Sequence, residues 1–236
     1  MFFDPLYIVV LVVTIGITGW AAWRVRSTYS KWSKVDSGIT MDAFDFARRL
    51  LDRQGLSHVR IEPTPGQLTD HYDPRGKILR VSTQVADATA LGSGVSPRLS
   101  VAAAAVIAHE VGHALQHQQN DPMMTLRQAI GPAAQFGSTI APWLIIAGFM
   151  LNFMGLAFVG LIGFGAAVLF TFATLPVEIG ASGKALAFVN GLGMAGERQD
   201  GARAVLKAAA WTYVAGALTA LLTFLYYVFL IFGRRD

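Results

Sequence analysis

Apolar positions along this chain fall into two regimes. In the first, residues 5–23, 128–177 and 208–232 contain no Asp, Glu, Lys, Arg or His. About 20 apolar residues suffice for one helical crossing of a bilayer. The first and last runs each fit one crossing. The middle run, as one helix rising about 1.5 Å per residue, would reach about 75 Å against a hydrocarbon core of about 30 Å. It has to fold back, and Asn152 and Gly155 are the expected turn. The pattern therefore predicts four transmembrane helices. The first run lacks a basic leader and a small-residue cleavage site, so it reads as an uncleaved anchor and not as a signal peptide.

Between these runs the periodicity changes. From Met41 to Leu51 the spacing is helical, with Ala43, Phe44, Ala47, Leu50 and Leu51 on one face and Gly55 closing the helix. Val59-Arg60-Ile61-Glu62 alternates as a strand does. Residues 67–72 and 77–82 flank Asp73-Pro74-Arg75-Gly76, which predicts a β-hairpin. A stretch rich in Gly, Ser and Pro covers 92–97. Ser100 is the expected N-cap of a further helix that runs to about Gln118, and Asp121-Pro122 ends or breaks it. No internal repeat or low-complexity tract is present.

Composition agrees with a membrane protein. Hydrophobic residues make up 53% and charged residues 14%, where soluble domains carry about 25% charged. No cysteine occurs, which excludes disulfides, thiolate ligands and cysteine nucleophiles. The net charge of +4 concerns lipid headgroups and topology more naturally than nucleic acid. If every run crosses, residues 24–127 and 178–207 share one side, and that side holds all Lys and Arg except Arg234 and Arg235. Arg24, Arg26, Lys31 and Lys34 directly follow the first span, so the positive-inside rule places this side in the cytoplasm.

The chemistry is carried by Ala108-His109-Glu110-Val111-Gly112-His113. In H-E-x-x-H on a helix, two histidines four apart share a face, with Cβ atoms about 5–6 Å apart, and both imidazoles can reach one Zn²⁺. Glu110, beside the first histidine, is placed to act as general base on the attacking water. A catalytic zinc site usually has three protein ligands. Glu178, at the end of the long apolar run and on the same side by parity, is the leading third ligand, with Glu197, Asp200 and His117 as rivals. The alternative for Glu178 is a helix-end charge at the headgroup boundary. His117, one turn beyond His113, reads as a surface residue or one that supports a ligand from outside the coordination sphere. His71 and Asp73, at the hairpin, read equally as substrate- or transition-state-contacting groups and as a polar turn cluster in which Asp73 bonds its own backbone.

These residues resemble the YugP-like bacterial membrane zinc metallopeptidases. The resemblance rests on Leu68-Thr69-Asp70-His71-Tyr72-Asp73-Pro74-Arg75, on Ala108 to Gln116, on Leu175-Pro176-Val177-Glu178, and on Gly201 to Lys207 with Thr212-Tyr213-Val214. It implies a membrane-integral zinc metallopeptidase with His109, His113 and Glu178 on the metal and Glu110 as base. Where the family commonly carries an acidic residue two positions beyond the third-ligand Glu, this chain has Gly180. Where a basic residue is usual, it has Gly183.

The expected protein is mainly α and integral to the membrane. About four transmembrane helices accompany a small α+β, zincin-like catalytic part with the H-E-x-x-H helix and the β-hairpin. The expected organisation is an anchor (1–23), a cytosolic-side catalytic region (24–127), two spans (128–177), a third-ligand region (178–207) and a last span with tail (208–236). The expected partners are the bilayer and a protein or peptide substrate, membrane proteins included, and not nucleic acid. Gly216 and Ala220 would let helices pack closely, but that spacing alone does not specify an oligomer. Two other classes stay open: a non-catalytic membrane zinc protein, and a transporter or channel. The absence of charge from the spans argues against the latter.

Overall fold

The computed structural model describes residues 4–87 and 98–233. The stretch 92–97 and the pair Arg234-Arg235 lie outside the described residues. The described elements, in chain order, are α1 (Pro5–Trp32), α2 (Ala43–Arg53), β1 (Arg60–Thr64), β2 (His71–Asp73), β3 (Ile78–Ser82), α3 (Thr83–Asp87), α4 (Val101–Gln118), α5 (Pro122–Met150), α6 (Met154–Gly191) and α7 (Glu197–Phe232). Helices α1, α5, α6 and α7 are long and apolar enough to cross a membrane.

Several boundaries differ from the sequence-based expectation. Helix α1 continues past Trp23 to Trp32, because no Gly or Pro interrupts it when the apolar run ends. The α5–α6 turn contains Asn152 in the left-handed region at φ 53°, a conformation Asn tolerates better than most residues. Gly155, expected in that turn, lies in the first turn of α6. Glu178 is not in a separate segment after the spans. It lies within α6, two residues beyond Pro176, which is itself inside the helix.

The chain forms two compact units, described separately. One comprises residues 1–22, 122–176 and 211–236. Its core is Ile145, Ala157, Leu161, Tyr226, Tyr227, Leu230 and Ile231. Small residues let α5 and α6 approach closely here: a Cβ on Gly160 would lie 2.8 Å from the Ala141 carbonyl oxygen, and one on Gly137 would lie 2.8 Å from that of Gly163. Close backbone approach over small residues is the usual way membrane helices pack.

The second unit comprises residues 23–121 and 177–210. Helix α2 starts at Asp42, whose side chain accepts from the Asp45 N–H at 2.8 Å. Its buried face is Ala43, Phe46, Ala47, Leu50 and Leu51, the i, i+3, i+4, i+7, i+8 stripe. Phe46 is fully buried, whereas Phe44, expected on that face, is only half-buried. Arg48 closes the turn after α2, donating to the Val59 and Leu56 carbonyls at 2.8 and 3.0 Å.

The sheet has strand order β1-β3-β2. Strand β1 runs parallel to β3, pairing Arg60 with Ile78 through Thr64 with Ser82. The hairpin is present, with β2 antiparallel to β3 and His71 opposite Arg80. It is shorter than expected, because Asp70 leaves the ladder. Its carboxylate accepts from the Ser82 N–H and Oγ–H, both at 2.7 Å. Leu68 has a positive φ of 54°, which extended pairing does not allow.

Candidate metal centre

Helix α4 presents the two histidines. Ser100 caps it as expected, its Oγ accepting from the Ala103 N–H at 3.1 Å. The helix is buried on nearly every side, with Ala102 to Ala105, Ala108, Gly112 and Ala114 among its buried residues. These small side chains admit neighbouring backbones. A Cβ on Gly112 would meet the Ala181 carbonyl oxygen of α6 at 2.7 Å, so the third position of E-x-x-H is held to glycine by that contact.

The close approach brings Glu178 onto the histidines. Its Oε2 lies 3.2 Å from His109 Nε2 and 3.4 Å from His113 Nε2. The imidazoles stand edge to face, 4.6 Å between centroids. His109, His113 and Glu178 offer ligand atoms all within 4.8 Å of one another. Tetrahedral bonds of about 2.0–2.2 Å place ligand atoms about 3.3–3.5 Å apart, and the two closest separations match that spacing. Glu178 is 1% exposed. A carboxylate that deep requires a positive partner or strong donors, and two imidazole nitrogens with a carboxylate oxygen are a donor set that suits Zn²⁺. Glu197, Asp200 and His117 are not part of this cluster among the described residues.

The far sides of both rings are engaged. Ser182 Oγ lies 3.3 Å from His109 Nδ1, and Gln116 Oε1 lies 3.0 Å from His113 Nδ1. The Gln116 amide nitrogen donates to the Val177 carbonyl at 2.9 Å.

Glu110 points toward the sheet. Its Oε2 accepts from the Tyr72 N–H at 2.9 Å. Burial pushes its carboxyl up to about 7; the neighbouring charges of Glu178 and Asp70 add to this, while His109 and the Tyr72 N–H act against it. A carboxyl near neutrality is matched to proton transfer at physiological pH.

His117 does not bond a histidine ligand. Its Nδ1 sits 2.9 Å from the Tyr72 hydroxyl. Burial, and then Lys77, hold its pKa below the usual histidine value. The Tyr72 phenol is pushed up to about 12 by burial and by Asp73. The phenol and the imidazole thus share one hydrogen bond on the sheet side of α4.

His71 and Asp73 make their hydrogen bonds away from the three-residue cluster. His71 Nδ1 meets the Thr69 carbonyl at 2.8 Å, and its Nε2 meets Arg80 at 3.2 Å. Asp73 accepts from the Arg75 and Gly76 N–H groups at 2.9 and 3.2 Å. Sequence reasoning passed over three residues that touch this centre. Gln116 is one turn beyond His113, Ser182 is one turn beyond Glu178, and Tyr72 lies between His71 and Asp73. Helical spacing was the available signal for the first two. Tyr72 stands in the segment that carries the resemblance, but its side chain gave no hint of its role, because it acts on Glu110 through its backbone N–H.

The sequence profile of a family described as "Putative neutral zinc metallopeptidase" matches residues 7–232. A relative from Bacillus subtilis (strain 168), named "Putative membrane protease YugP", is 39% identical over 232 residues, covering 98% of this chain and 99% of its own. No solved structure matches. With its histidine–carboxylate cluster and four apolar helices, the chain belongs to this neutral zinc metallopeptidase family and is similar to a membrane protease.

Proposed function

We propose that this chain is a membrane-integral zinc endopeptidase that cleaves peptide bonds at the membrane–cytosol boundary. His109, His113 and Glu178 hold the metal and Glu110 is the general base. The observation that carries this reading is the convergence of His109 Nε2, His113 Nε2 and Glu178 Oε2, with Glu110 pinned beside them by Tyr72. When bound, Zn²⁺ supplies Lewis acidity and lowers the pKa of water toward about 7.

Glu110 takes a proton from the water whose oxygen attacks the scissile carbonyl carbon. It returns that proton to the amide nitrogen as the C–N bond breaks, leaving an amine and a carboxylic acid that then gives up its own proton to the amine or to water. The Tyr72 N–H fixes which Glu110 oxygen is free for this work. Strand β2 lies at the sheet edge, and an extended substrate laid along it would pass Glu110. An H-E-x-x-H helix beside an edge strand is the zincin-like arrangement. His71 and Asp73 serve it by tying β2 to Arg80 and to the turn.

The proposed topology is multi-pass, with α2 to α4 on the cytoplasmic side, which favours membrane-protein segments or tethered peptides as substrates. Equal cleavage of soluble and membrane-anchored versions of one peptide would remove that preference.

The test is cleavage of casein by detergent-purified, zinc-loaded wild type beside Glu110→Gln. General-base loss predicts a fall of roughly 10²–10⁴-fold. Equal cleavage by both would reject Glu110 as base. Cleavage by neither, with zinc bound, would favour the non-catalytic zinc protein.

A further inference from the structure

We infer that Gln116 is a positioning residue. It sets the tautomer of His113 and ties the helix carrying the two histidines to the helix carrying Glu178. The inference rests on the metal centre proposed above and assigns a role to a residue outside the ligand set.

The argument is one of donors and acceptors. A backbone carbonyl only accepts hydrogen bonds, and an imidazole nitrogen without its proton only accepts as well. The Val177 carbonyl lies 2.9 Å from the Gln116 side-chain nitrogen. That contact orients the amide, because the reversed amide would set oxygen against oxygen. The other end of the amide, Oε1, then faces His113 Nδ1 at 3.0 Å. Oε1 is also only an acceptor, so Nδ1 must carry the ring proton. In the neutral ring that leaves Nε2 as the ligating nitrogen, on the Glu178 side and 3.4 Å from Oε2. The proton arrangement of the ligand is thus dictated by a carbonyl on the other helix, one residue before Glu178.

Burial strengthens this chain of bonds. Gln116 is 1% exposed and His113 7%, so water does not compete for either end of the amide. A polar side chain that deep is costly unless both ends are satisfied, and here both are. A metal-bound histidine characteristically donates its second ring N–H to a fixed acceptor, and loss of that acceptor typically costs 10–100-fold in metal affinity. Gly180 makes room for the device: a Cβ there would lie 2.9 Å from the Gln116 amide nitrogen.

Zinc affinity of the full-length protein in detergent, measured by competition against a chromophoric chelator, tests this together with thermal unfolding. Gln116→Glu keeps the acceptor for His113 Nδ1–H. Gln116→Met keeps the volume and loses the acceptor. Gln116→Glu keeps the acceptor but loses the tie to Val177, so a positioning role predicts that it binds zinc more tightly than Gln116→Met, which loses roughly 10–100-fold. A packing role predicts the reverse order, since Met fills the site and Glu opposes the Val177 carbonyl with a charge; that order would overturn the inference. If Gln116→Met does not fold, Gly180→Ala serves instead. It crowds the amide without removing it, so weakened zinc binding at an unchanged melting temperature is expected, and unchanged affinity would overturn the inference. His113→Ala is the control. If wild type binds zinc no more tightly than His113→Ala, the metal centre itself fails and this role fails with it.

Discussion

A carboxylate as deeply buried as Glu178 stays ionised only among donors or cations, and the chemistry here is decided by such individual contacts. Tyr72 makes two of them through different parts of one residue. Its backbone N–H holds Glu110, and its hydroxyl shares a hydrogen bond with His117 Nδ1. Tyr72→Phe removes only the second. Expected is a loss of about 0.5–1.5 kcal/mol of stability with zinc affinity unchanged, read by thermal unfolding and chelator competition. A fall in zinc affinity would show that the hydroxyl matters to the centre.

Acid sensitivity has its own residues. Asp36 accepts from the Gly38 N–H at 2.7 Å and pairs with Arg98 at 2.6 Å, which holds its carboxyl below the usual range. The Gly76 and Arg75 N–H groups, with Arg80, do the same for Asp73. A carboxyl whose pKa is lower folded than unfolded stabilises above its unfolded value, and the contribution fades as pH falls through the folded one. Melting temperature in chelator should therefore fall from about pH 5 downward, and less steeply in the Asp36→Asn, Asp73→Asn double variant. Identical acid limbs would contradict this.

At the scale of elements, the seam between α4 and α6 is decisive. The amphipathic stripe of α2, the cap at Ser100 and the extent of α4 to Gln118 were legible in the sequence because helix period and capping are local properties. On α2 the core takes Phe46 in place of the expected Phe44, in keeping with the 3.6-residue period. The hairpin was legible from Asp73-Pro74-Arg75-Gly76. Its short length was not, since that depends on Asp70 reaching Ser82 across the sheet. Nor was the parallel pairing of β1 with β3, which nothing in either strand specifies alone.

Gly112→Ala tests the seam. The added Cβ meets backbone that cannot turn away, so a loss of about 1–3 kcal/mol is expected together with weaker zinc binding, because Glu178 is carried on the displaced helix. Wild-type melting and affinity in this variant would mean that the two helices part without consequence.

For the whole molecule, the proposed topology makes a prediction about which side of the membrane each segment faces. The chain has no cysteine, so single-cysteine reporters need no background removal. Arg75→Cys, in the hairpin turn, is expected to react with an impermeant thiol reagent only after the membrane is opened. Asn152→Cys, between α5 and α6, is expected to react on intact cells. The opposite pattern would reverse the orientation, and labelling of both from one side would break the four-span count.

By itself, the sequence determined the apolar segments long enough to cross a membrane and the H-E-x-x-H pair on one helix face. Both follow from runs and spacings within a single element, where hydropathy and the 3.6-residue period act without reference to the rest of the chain. For Glu178 it offered an argument from parity and ligand count. Only the tertiary structure brought that carboxylate, 69 residues from His109, to within hydrogen-bonding distance of it. Only packing could decide that Tyr72 holds Glu110 and that Val177 orients Gln116, because a hydrogen bond between elements depends on where two backbones come to rest. The close approach at Gly112 set that position for α4 and α6.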